Sequence, residues 1–167
     1  MTVSTTAPIK TAVIRTLRFG HGPRSYVFPA GHKLEGQQAL TGKWLHDGFA
    51  PEKHPYPFVT YQFINSMKSY PWGSVMTLAA VDVKVFSLNN VEADNLFVLC
   101  AAVLDEAPLQ IAGQATLICR RVADLGGPDV DEEGRKISMV GATYMIWTDQ
   151  PLLRRIEASF TVGATIS

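Results

Sequence analysis

Val75, Thr77, Ala79, Val81, Val83 and Val85 recur at every second position, and this run constrains the chain more than any other feature. Successive side chains of an extended strand point to opposite faces, so all six share one face of a long strand. A face this apolar must be covered by other elements. Asp82 and Lys84 mark the second face as wet. Met76 and Leu78 on that face are apolar, which predicts that part of it is covered too.

The neighbouring segments supply partners. Val59, Tyr61 and Phe63 alternate with Phe58, Thr60 and Gln62 in a strand that starts at Tyr56, and Met67 to Gly73, with Pro71-Trp72-Gly73, reads as a turn region. A helix is predicted from Asn90 to Glu106. Asn89 and Glu92 make a capping-box-like start, and Pro108 stops the chain. Its centre, Leu96 to Leu104, is apolar all round, whereas a helix lying on one sheet keeps a polar stripe. Something else should therefore cover its outer side. Val98, Ala101, Ala102, Met76 and Leu78 are the candidate assembly-interface residues. Ala115 to Val122 and Ile137 to Thr148 read as two more strands, joined by an acidic, glycine-rich connection over 124–134. The expected fold is α+β: a mainly antiparallel sheet of about four strands with helices packed on it, plus an extended N-terminal arm.

Three segments follow from composition. Residues 1–55 form an N-terminal extension with a short helix over Ile9 to Phe19 and a long irregular loop broken by prolines and glycines. Residues 56–149 form the α+β body, and 150–167 a C-terminal tail, either a final strand or an arm. The 167 residues carry fifteen bases and fifteen acids, so no global field draws the chain to nucleic acid. The charge is nevertheless uneven, with the extension basic and the body acidic, a pattern suited to head-to-tail contacts between copies. The N-terminus lacks the regions of a signal peptide, and no apolar run is long enough to span a bilayer, so a soluble chain made in the cytoplasm without membrane association is expected.

Reactive constellations are missing. Asp129-x-Asp131-x-Glu133-Gly134 begins like a calcium loop, but Val140 stands where the bidentate glutamate is needed, and strands rather than helices flank it. His21, His32, His46 and His54 have no ligand spacing, and His46-Asp47 sits beside Gly48 in a loop. Neither Cys100 nor Cys119 has a nearby histidine, and each sits in an apolar run as a reduced, buried thiol. Arg120-Arg121 and Arg154-Arg155 point to opposite faces on a strand and read as salt-bridge partners. Trp72 and Trp147 read as core or interface aromatics. No cofactor, metal or catalytic residue is expected, and the chain is read as a non-enzymatic assembly protein.

The order of the body carries a resemblance. Asp47-Gly-Phe-Ala-Pro51 precedes Tyr56-Pro-Phe-Val-Thr-Tyr-Gln62; the strand Val81-Asp-Val-Lys-Val-Phe86, a helix and two strands joined by a loop follow. Over residues 45–149 this resembles the tail-terminator (tail-completion) proteins of long-tailed bacteriophages, the family that includes the lambda U protein. The resemblance implies a small α+β virion subunit at the tail and neck junction. It would form a six-membered ring with copies of itself on the finished tail tube, stop tube growth and offer a surface to the head connector. Its partners would be the tail tube protein and the head-connector or head-closure protein, with DNA passing through without specific binding. Asp124, Asp129, Asp131, Glu132 and Glu133 would then face the channel or the tube. Another neck component, such as a head-closure or adaptor protein, is the alternative, and a small-ligand-binding α+β domain is a third reading.

Overall fold

The valine-rich run forms the middle of a sheet in the computed structural model, which describes residues 6–20, 28, 30, 34, 39–40, 43–69, 74–112 and 115–151. In chain order the elements are α1 (Thr6–Phe19), β1 (Leu45–Asp47), β2 (Phe58–Ser69), β3 (Ser74–Ser87), α2 (Asn90–Leu104), β4 (Ala115–Val130) and β5 (Lys136–Pro151). The strands lie in the order β1-β2-β3-β5-β4. Pairings β2–β3, β3–β5 and β4–β5 are antiparallel.

The α+β class holds, but the sheet is mixed and has five strands rather than about four in a mainly antiparallel arrangement. The difference is β1, which pairs parallel to β2 with Leu45 opposite Val59. Three residues are too few to show a period of two. The pairing is anchored instead by backbone bonds at each end, Val59 N–H to the Trp44 carbonyl at 2.7 Å and Gly48 N–H to the Tyr61 carbonyl at 2.8 Å.

One face of the sheet is covered. Ala79, Val81, Val83 and Val85 of β3 and Ala142, Tyr144 and Ile146 of β5 are buried in one core with Ala93, Leu96, Cys100 and Val103 of α2. Ile9, Val13 and Leu17 of α1 join the same cluster, as do Phe28, Leu34, Leu40 and Trp44, so the core draws on residues before and after position 56. Burying each valine, leucine, isoleucine or phenylalanine among them contributes roughly 1.5–3 kcal/mol.

The α2 start differs in detail from a capping box. The Asn89 side chain accepts from Val91 N–H at 2.9 Å, but the Glu92 carboxylate takes the Ser87 hydroxyl, which itself accepts from Asn89 N–H at 3.1 Å. The last hairpin differs in extent: β4 and β5 run to a turn over 131–135, so Asp124 and Asp129 stand on a strand and not in a loop. Glycine and Pro128 signalled a turn, yet β4 is an edge strand. An edge strand is where a proline is tolerated, because one side of its backbone needs no ladder partner. The Pro71-Trp72-Gly73 turn and all of the expected tail beyond Pro151 lie outside the described residues.

Candidate assembly surfaces

The outer side of α2 keeps apolar residues in water. Val91 and Val98 are 65% and 62% exposed, and Ala102 is exposed one turn beyond Val98. Spacings of seven and four align these three on one stripe. Ala101 is half-buried against the core and does not belong to it. The helix therefore hides Leu96, Phe97 and Cys100 and shows a second, smaller apolar surface.

Met76 and Leu78 lie on the uncovered face of the sheet, away from α2, so the five candidate interface residues divide between two surfaces. Leu78 is part of a row that crosses four strands: Met67 is opposite Leu78, Leu78 opposite Trp147, and Trp147 opposite Ile118. Met67, Trp147 and Ile118 are 64%, 40% and 45% exposed. Met67, expected at the start of a turn, lies instead within β2, which continues to Ser69. An irregularity between Phe63 and Asn65 shifts the phase of β2 and turns Met67 toward Leu78.

The same open face forms a groove at the opposite end of the sheet, about 530 Å³ in volume, between loop 48–56 and the β4–β5 turn. Its floor is a ladder of rings. Tyr56 stacks on Phe58 at 5.2 Å and Phe58 on Phe86 at 5.1 Å between centroids, because Phe58 and Phe86 are register partners. Tyr56 also ties the two walls together. Its hydroxyl donates to Asp131 at 3.3 Å, and the Arg135 guanidinium lies 5.6 Å over its ring.

The five acids expected to act together do not share one environment. Asp131 organises the turn. Its carboxylate accepts from Arg135 N–H at 2.8 Å, Glu133 N–H at 3.0 Å and the Arg135 guanidinium at 2.7 Å. Desolvation raises this carboxyl, but the bonds from Arg135 outweigh it and hold the group below the usual carboxylate range. Asp124 pairs with Arg121 at 3.0 Å, and Glu133 with Arg135 at 3.3 Å. Asp129 and Glu132 are exposed and make no ion pair among the described residues.

Elsewhere the titratable groups serve packing. Burial pushes the Cys119 thiol up to about 12, far from a reactive thiolate, and likewise raises the Tyr144 phenol beneath α2. His46 and His54 meet edge to face at 4.3 Å, and His54 stacks on Phe58. Burial lowers both imidazoles, aided at His46 by the facing His54 and at His54 by Lys43. Among the described residues no three His, Cys, Asp or Glu are placed to hold a metal ion, and no helix is long and apolar enough to cross a membrane.

Neither a protein-family model nor a curated protein matches the chain. Among solved structures it is similar to a chain in the virion of a native gene transfer agent (GTA) particle. The TM-score is 0.53 at 10% identity, over 66% of this chain and 81% of that one. At this identity the likeness is one of fold.

Proposed function

We propose that this chain is a non-enzymatic structural subunit of a phage-type virion, a tail terminator that closes the tail tube as a ring and presents a docking surface to the head. The observation that carries the reading is the pair of unlike exposed apolar surfaces on opposite layers of the domain. One is the α2 stripe through Val98, and the other the open-face row through Leu78 and Trp147. Two different patches on opposite sides of a subunit suit a head-to-tail contact, and such contacts close into rings when the rotation allows. The fold shared with a chain of a GTA virion supports a virion role, and the order of elements over 45–149 supports the terminator in particular.

In this role the protein works by shape. Its ring covers the last layer of the tube, so no further tube subunit can add, and its other rim offers the head connector a surface. Phage lacking the chain should make tails of irregular, excessive length that fail to join heads, seen directly in electron micrographs. Tails of normal length beside heads that leak DNA would reject the terminator and indicate a head-closure role.

A further inference from the structure

The groove between loop 48–56 and the β4–β5 turn has a cationic, apolar occupant written into its lining. Its floor is aromatic, with Tyr56, Phe58 and Phe86 stacked in sequence, and Phe49 stands 85% exposed at its lip. Of its charged lining residues six are acidic and three basic. Arg135 is engaged by Asp131 and Glu133, and Lys84 lies near Asp82 at 3.6 Å, while Lys53 is in no ion pair among the described residues. The acids Glu52, Asp129 and Glu132 have no ion-pair partner among the described residues. The groove thus favours a segment that places aliphatic side chains on the rings and positive charge between the acids.

The chain contains such a segment. Leu152-Leu153-Arg154-Arg155-Ile156 follows directly on β5, outside the described residues. It follows Pro151, the last residue of β5, which pairs with Ser74 close to the start of β4, whereas the groove lies at the Lys136 end of the same strand. At roughly 3.3 Å per residue, these ends are about 50 Å apart along β5. Arg154 and Arg155 follow Pro151 by three and four residues, roughly 10–14 Å of extended chain, so folded back on their own sheet they would stay far from Asp129 and Glu132. A second copy faces no such limit.

We infer that the groove of one subunit receives the segment Leu152 to Phe160 of a neighbouring copy, with Arg154 and Arg155 set among Glu52, Asp129 and Glu132. This rests on the reading that copies stand side by side in a ring, and it gives the ring a second joint beyond the α2 and open-face surfaces. The arm would act as a strap, reaching one subunit onward.

Two single-cysteine variants of the full-length protein test this, Lys53→Cys on the groove wall and Ala158→Cys in the segment. The native Cys100 and Cys119 are buried and do not compete. Mixed and oxidised at high protein concentration, the two variants should form a disulfide-linked dimer in greater yield than either alone. The double variant in one chain should form no internal bridge. Arg154→Glu with Arg155→Glu should lower the mixed yield roughly tenfold, as expected for two reversed exposed pairs, and Asp129→Lys with Glu132→Lys on the other partner should restore it. No mixed dimer, an internal bridge in the double variant, or a yield indifferent to charge reversal would each overturn the strap. The terminator reading stands or falls separately, on the tail lengths of phage lacking the chain.

Discussion

The two faces of β3 obey different rules. On one, Ala79, Val81, Val83 and Val85 are at most 1% exposed beneath the helices, and nothing polar interrupts them. On the other, Asp82 and Lys84 pair at the groove wall, Phe86 forms its floor, and Leu78 lies in a row that is still largely in water. The covered face holds the fold together. The open face retains what recognition by another chain requires: rings, acids without an ion-pair partner among the described residues, and an apolar row. Substitutions on the two faces should separate these contributions.

The largest effect belongs to the covered face. Leu96→Ala removes a fully buried side chain between α2 and the sheet, and should cost about 2–5 kcal/mol in denaturant unfolding. A loss below about 1 kcal/mol would mean that α2 is not the main cover of this face.

Gly141→Ala tests the joint between β3 and β5. A Cβ at this position would stand 2.4 Å from the Val83 carbonyl oxygen and 3.0 Å from the Lys84 Cα, both backbone atoms with little room to yield. Overpacking of this kind should cost about 1–3 kcal/mol. Unchanged stability would show that the strands separate more easily than their register suggests.

Val98→Glu should reverse the pattern. The side chain is 62% exposed, so unfolding free energy should stay within about 0.5 kcal/mol of the parent. Assembly, followed by light scattering, should be lost. A variant that assembles normally would remove α2 from the ring contact.

The smallest effect is a pH dependence confined to loop 48–56. His46 and His54 are depressed by burial, so the folded state resists their protonation and the unfolded state accepts it. Their contribution is full above the ordinary imidazole value of about 6.5 and is lost as pH falls below it. Amide exchange in this loop should quicken as pH falls from about 7 to about 5, after correction for intrinsic rates, and His54→Phe should flatten the change. A loop equally protected across that range would show that the two rings do not hold it.

Long periodic signals were legible. The alternation over Val75 to Val85 located β3, and the apolar centre with Asn89 before it located α2. Features that depend on register were not. The ladder of Tyr56, Phe58 and Phe86 joins residues of two strands that meet only once β2 and β3 pair. Met67 reached the open face through a phase shift that no alternation rule contains. The hairpin is longer than its sequence suggests, because Gly126, Gly127 and Pro128 favour turns locally while pairing with Met139 and Ser138 extends the strand. Of the candidate interface residues, Val98, Ala102 and Leu78 lie on exposed or partly exposed apolar surfaces. Asp131 is committed to the turn that it organises.

Counting the copies in purified particles distinguishes a ring subunit from a tube subunit. Quantitative mass spectrometry should find a small, fixed number per virion, one ring's worth, independent of tail length. A chain absent from particles, or present in numbers that scale with tail length as a tube subunit would be, contradicts the ring.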